Sequence, residues 1–218
     1  LSVVKQPLID EGVLSAGELG VIGSALLFVY AVGKFMNGFI ADYCNIKRFM
    51  ATGLFVSALI NLILGVIGVF HDVVHFSTAV IFFSFAILWG LNGWMQSMGS
   101  PPGVICLSRW FPKSKRGTFY SIFSSTPYVG EFLSFIITGL IVGAIGWKAG
   151  FIVAAIAGLI GSLVVLWMVS DTPESKGLPS IQKLSGEEPV KEDTMPTRQL
   201  QKFVLKHPGI WVIAISSA

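Results

Sequence analysis

Apolar residues in this chain run in long blocks, not in the alternation of a half-buried strand or the single stripe of a soluble amphipathic helix. A helix that crosses a bilayer needs about 20 such residues to cover a hydrocarbon core of roughly 30 Å. Five blocks reach that length, at about 19–41, 49–70, 77–107, 117–145 and 149–169, and a sixth opens near Ile210. The third is longer than one crossing requires and contains Pro101 and Pro102. A tilt or kink is therefore expected near its end, because proline removes an N–H and crowds the preceding turn. Residues 171–207 differ in kind: they are rich in Pro, Glu, Lys, Ser and Gly, have no sustained apolar period, and read as a linker. The pattern predicts an all-α membrane protein with a first helical bundle over 1–170, a cytoplasmic linker over 171–207 and the start of a second bundle over 208–218. That is the layout of transporters built from two related halves. The chain opens on Leu1 and stops about ten residues into an apolar block, without the basic, apolar and small-residue order of a signal peptide, so an internal piece of a longer protein is expected.

Composition closes off the soluble alternatives. Hydrophobic residues make up 53% of the chain and charged residues 12%, about half the share of a soluble domain; mean hydropathy is +0.75. Twelve of the 15 Lys and Arg fall in the 42–48 turn, the 108–116 loop and the 170–207 stretch, against Lys5 and Lys148 on the other side. The positive-inside bias puts the first group in the cytoplasm and the segment before Leu19 outside. That bias fully explains the basic loop Arg109–Arg116, so no nucleic-acid partner is implied. Trp110, Trp147 and Trp167 lie near span ends, as an interfacial belt requires. Cys44 and Cys106 form no disulfide framework and fit as small residues at helix ends. Gly139 with Gly143, Ala154 with Gly158 and Gly99 with Gly103 have the spacing that lets helices pack closely in lipid. The acidic run Glu187, Glu188, Glu192 and Asp193 reads as solvated linker before it reads as a docking tail.

Candidate chemistry begins with Lys34, the one formal charge in the block 19–41. An ammonium in the hydrocarbon core costs roughly 2.5–3.5 kcal/mol on insertion scales, so it marks function by default and suits an anionic solute. It lies eight residues from Asp42, about 12 Å into the core at 1.5 Å per residue. Tyr30, Lys34 and Asn37 follow each other on one helical face, and a polar stripe on a membrane helix must face the interior. Asn92 and Gln96, one turn apart, have groups that hydrogen-bond phosphate or sugar hydroxyls, or a neighbouring helix. Glu131 shares a face with Ser124 and Tyr128, about 21 Å along its helix from Gly117. Three roles are open to it: a partner for Lys34 that releases on substrate arrival, a protonatable coupling group, or a structural charge. His71 and His75 offer two metal ligands without a third. No Gly-rich nucleotide loop or nucleophile–base constellation appears, which argues against an enzyme, and no cofactor or metal is implied.

Two motifs go further. Gly38-Phe39-Ile40-Ala41-Asp42, followed by Asn45, Lys47 and Arg48, resembles the major facilitator signature between the second and third helices. The stretch from Gly93 to Pro102, with Arg109-Trp110-Phe111, Arg116-Gly117, Gly33-Lys34-Phe35, Asp171-Thr172-Pro173 and Gly177-Leu178-Pro179, is similar to the organophosphate:phosphate antiporter family. The resemblance spans the whole chain. It implies the N-terminal bundle of that fold without its first helix, carrying five complete transmembrane helices, in a multi-pass protein of a bacterial inner membrane. It implies alternating-access exchange of a sugar phosphate or glycerol phosphate against inorganic phosphate, with Tyr30, Lys34 and Gln96 facing the pathway and Asn92 and Tyr128 as further substrate contacts. Gly38, Asp42, Lys47, Arg48, Arg109 and Arg116 become the cytoplasmic conformational signature, and Glu131 a coupling candidate. The family's phosphate-binding arginines lie on its first and seventh helices, beyond what this chain contributes. The chain departs from the family at Pro127, where several members have histidine, at Glu131 in place of glycine, and at Ser100 in place of tryptophan. Some relatives of this family sense hexose phosphate and signal to a kinase, which is the alternative function.

Overall fold

The computed structural model describes residues 1–186 and 196–216. Every regular element among them is helical: α1 (Lys5–Asp10), α2 (Ala16–Ala41), α3 (Ile46–Val74), α4 (Thr78–Gln96), α5 (Ser100–Trp110), α6 (Lys113–Ile145), α7 (Trp147–Met168), α8 (Ile181–Ser185), α9 (Thr197–Lys206) and α10 (Pro208–Ser216). Five membrane spans result, with α4 and α5 together forming the third. The starts follow from local chemistry. Ser15 and Glu18 form a reciprocal capping box on α2, while Asn45 and Ser77 cap α3 and α4 through the N–H groups of Arg48 and Val80.

The third apolar block is broken outright where a tilt or kink was expected. Pro101 and Pro102 have no N–H to offer the carbonyls of Ser97 and Met98, so the helix cannot run through them. They are accommodated in the first turn of a new helix, α5, after a break at 97–99. The interruption is satisfied internally: Ser97 Oγ donates to Trp94 O at 2.6 Å and accepts from Asn37 Nδ2 at 2.7 Å. Pro127 has a milder effect. It leaves Phe123 O without its usual donor, Thr126 Oγ1 supplies one at 2.7 Å, and α6 continues unbroken. Between α6 and α7 the chain turns on Gly146 alone, at φ +99°, a conformation that side-chain-bearing residues rarely adopt.

The most extensive packing joins α3 to α7 and α2 to α4, with α4 against α3 and α6 against α7. Close approach depends on glycines. A Cβ on Gly93 would enter the backbone of Leu26, and one on Gly53 would lie 2.7 Å from Met95 O. One on Gly158 would lie 2.9 Å from Ala58 Cβ, and one on Gly103 would lie 2.6 Å from the Phe123 ring. Two expected packing positions differ: Gly139 and Gly143 have nothing within 4 Å of a notional Cβ, because their face of α6 has no neighbour among the described residues. The tryptophans divide as well. Trp167 is exposed as a belt residue should be, but Trp147 is 1% exposed. Its ring stacks edge-on against Phe85 and Phe151, and Nε1 donates to Glu11 Oε2 at 2.8 Å. Trp110 is half-buried and donates to Ser170 O at 2.8 Å.

The start of α3 and the chain just after α7 are tied by Asp171. Its carboxylate accepts from the N–H groups of Ile46 and Lys47 at 3.2 and 2.9 Å, at the start of α3, where anionic oxygens complement the helix dipole. Asp171→Ala should lower stability of the intact protein by about 1–2 kcal/mol, with Asp171→Asn recovering part, as thermal unfolding in detergent will read. An unshifted midpoint for the alanine variant would remove this contact from the account. The segment read as a linker carries regular structure at both ends: a short turn at Glu174–Lys176 and α8 on one side, and α9 on the other. The acidic run Glu187, Glu188, Glu192 and Asp193 lies outside the described residues.

Candidate functional site

A cleft of about 790 Å³ opens between α2, α3, α4, α6 and α7, its outer end bordered by residues 1–5. Most of its lining is apolar, as expected within a bilayer. The polar side chains include Ser2 near the start of the chain, Ser24 on α2, Ser57 and Asn61 on α3, Gln96 at the end of α4, and Glu131, Ser134 and Thr138 on α6. Asn61 is turned partly inward, donating from Nδ2 to Ser57 O at 2.8 Å. The cleft therefore combines a carboxyl group with hydroxyl and amide groups, and its one lysine, Lys5, lies at the end bordered by residues 1–5.

Of the residues singled out in the sequence, the cleft gathers Gln96 and Glu131. Lys34 and Tyr30 are on α2 outside it. Lys34 is exposed, its Nζ lies 5.9 Å from the centre of the Tyr30 ring, and among the described residues no carboxylate is within 4.0 Å of it. The stripe Tyr30–Lys34–Asn37 is split: Asn37 is 1% exposed and turned to the α4–α5 break, while Lys34 points away from that contact. An ion pair between Lys34 and Glu131, one of the roles open to that carboxylate, is not formed. Tyr128 is 74% exposed and also outside the cleft. Asn92 is fully buried. Its Oδ1 accepts from Ser57 Oγ at 2.6 Å, bridging α4 to α3, and its Nδ2 has no partner among the described residues.

The signature residues lie at or near the helix ends that join α2 to α3 and α5 to α6. Asp42 ends α2 and accepts from Gln201 Nε2 of α9 at 2.8 Å. Lys47 and Arg48 open α3, their backbone N–H groups held by Asp171 and Asn45. Gly38 lies 4.0 Å from Pro101 Cβ by its notional Cβ. Arg116 donates to Phe111 O at 3.0 Å and Ser108 O at 2.6 Å, satisfying carbonyls at the end of α5, whose last turn holds Arg109. At the opposite end of the bundle, His71 and His75 rings are 6.4 Å apart, while Lys148 and Asp72 form an ion pair, with 2.6 Å to Oδ1.

Sequence reasoning missed Ser57, Asn61, Ser97 and Gln201. The first two carried a legible signal, a polar pair one turn apart inside an apolar block. Gln201 carried none, since its partner lies 159 residues away.

Comparison with known proteins adds the lineage. A sequence model of the Major Facilitator Superfamily matches residues 2–218. The chain is 34% identical over 215 residues to the probable hexose phosphate transport protein of Chlamydia pneumoniae, covering 92% of this chain and 45% of that protein. It is 34% identical over 218 residues to the glycerol-3-phosphate transporter of Bacillus subtilis, covering 97% and 47%. It is 29% identical over 213 residues to the membrane sensor protein UhpC of Escherichia coli, covering 95% and 46%. The chain thus spans about half the length of the curated relatives it matches.

Proposed function

The chain belongs to the major facilitator superfamily and to a multi-pass integral membrane protein, and on that footing we propose that it forms one half of a secondary transporter for a phosphorylated metabolite. The substrate is a sugar phosphate or glycerol phosphate, exchanged for inorganic phosphate by alternating access across a bacterial inner membrane, and no chemistry is performed on it. The single observation that carries this reading is an ammonium well inside a membrane helix with no carboxylate near it among the described residues. Relatives named for hexose phosphate and glycerol-3-phosphate transport support the same class.

In this reading the substrate sits between this bundle and the second half of the protein, near the bilayer midplane. Lys34 and Tyr30 meet the phosphate from α2, Gln96 and Tyr128 serve the organic part, and Glu131 answers to the coupling step, while Asn92, expected as a substrate contact, is instead fully buried and joins α4 to α3. Binding favours closure because phosphate brings charge that the pathway otherwise lacks a partner for. Asp42, Lys47, Arg48, Arg109 and Arg116 set the cytoplasmic contacts that change between states.

The test is uptake into vesicles holding the intact protein, with glycerol phosphate, hexose phosphates, phosphoglycerate and free phosphate as competitors. Counterflow driven by internal phosphate is expected, with at least one ester competing. The similarity to a membrane sensor favours a second reading in which hexose phosphate is bound but not moved. Binding without flux would decide for it.

A further inference from the structure

Helix α9 (Thr197–Lys206) has two faces with different fates. One rests on the bundle: Gln201 Nε2 donates to Phe39 O at 3.3 Å and Asp42 Oδ2 at 2.8 Å, and Tyr43 Oη donates to Gln201 Oε1 at 3.2 Å. Among the described residues the other face makes no hydrogen bond or ion pair to the bundle. Arg198, Lys202 and Lys206 follow each other one turn apart, all exposed, and among the described residues none forms an ion pair. Beside them Phe203 is 65% exposed, with only the His207 ring against it at 6.3 Å, and Val204 is 37% exposed. Residues 197–206 contain no Asp or Glu.

The position of the helix limits what covers that face. Asp42 marks the cytoplasmic end of the span α2, so a helix bonded to it lies at headgroup depth. One residue after α9 the apolar α10 begins, and Trp211 Nε1 reaches back to Leu205 O at 2.8 Å. A cationic face with an aromatic at its edge, held at that depth, has the composition of a helix lying in an anionic interface, its ring at the acyl boundary and its cations among phosphates.

We propose that the Arg198–Lys202–Phe203–Lys206 face of α9 docks on anionic phospholipid of the cytoplasmic leaflet, and that this attachment seats Gln201 against Asp42. Lipid charge then acts on the signature turn through a protein helix. Each cation removed weakens attachment about fivefold, and removal of all three on the order of a hundredfold.

The test places a spin label on the exposed face, Gln199→Cys in the intact protein with Cys44→Ser and Cys106→Ser, reconstituted in phosphatidylcholine with or without phosphatidylglycerol. Collision with oxygen and with a water-soluble nickel chelate reports depth. Phosphatidylglycerol should make the label oxygen-accessible and chelate-protected, and the change should vanish with R198Q/K202Q/K206Q. Should that variant fail to fold, high salt on the labelled protein with all three cations intact gives the same reading, because it screens surface charge. Chelate access that is equal in both lipids overturns the proposal. So does a label hidden from both reagents whatever the lipid, which would mean that protein covers the face.

Discussion

Replacing Gly93 with alanine should destabilise the intact protein more than any other single methyl added to these helices. A Cβ at 93 would overlap Leu26 O and lie 3.2 Å from its carbonyl carbon and 3.3 Å from its Cα. Those atoms belong to the backbone of α2 and cannot rotate aside as a side chain would. The helices must separate instead, along one of the most extensive contacts in the bundle. Overpacking costs about 1–3 kcal/mol, and a backbone obstacle places Gly93→Ala at the upper end. Gly90→Ala is the matched control: one turn away on the same helix, its Cβ would meet Val29 Cγ2 at an ordinary 3.8 Å. The first variant should lose several degrees of thermal midpoint in detergent while the second stays near the parent. Equal midpoints would mean that α2 and α4 are not held at this distance in the intact protein.

Lys34→Gln should have the largest effect on ligand affinity. The substitution keeps most of the side chain's length and removes its charge. In the proposed transporter it deletes a charge-assisted bond to phosphate in a poorly solvated path, worth about 1.5–3 kcal/mol, or about 10- to 150-fold in affinity. Lys34→Arg should retain part of the binding, since it keeps the charge in a different geometry. Competition binding on the intact protein with glycerol phosphate and hexose phosphates measures both. A Lys34→Gln protein that binds these esters as tightly as the parent removes the ammonium from the site.

The exposed position of Lys34 bears on how that experiment is read. Its amine is not in the cleft that holds Gln96 and Glu131, and it lies 5.9 Å from the centre of the Tyr30 ring. The proposal places the opposing wall of the site on the second half of the protein. Helix periodicity identified the polar stripe on α2 but treated Tyr30, Lys34 and Asn37 as one functional unit. The structure separates them because a helical face is wide enough for Asn37 to enter the α4–α5 contact while Lys34, three residues earlier, stays outside it.

The spans themselves were legible along the chain, since a bilayer leaves backbone groups no partner but their own helix and demands apolar runs of fixed length. The blocks at 19–41 and 149–169 match α2 (Ala16–Ala41) and α7 (Trp147–Met168) to within a few residues. Proline placed the disturbance in the third block correctly, but the complete break at 97–99 depended on Asn37 from another helix to satisfy Ser97. The amphipathic α9 was hidden by its shortness and by the polar composition around it.

By itself, then, the sequence determined which segments are long and apolar enough to cross the membrane and that one of them carries a lysine, because transfer free energies belong to each residue alone. Only the tertiary structure decided that Gly93 and not Gly139 is a contact point, that Trp147 is core, and that Asn92 bridges two helices. It also decided that Asp42 is held by a helix far along the chain. Those outcomes depend on which neighbour arrives at a given face, and lipid-facing and helix-facing surfaces are equally apolar, so composition does not distinguish them.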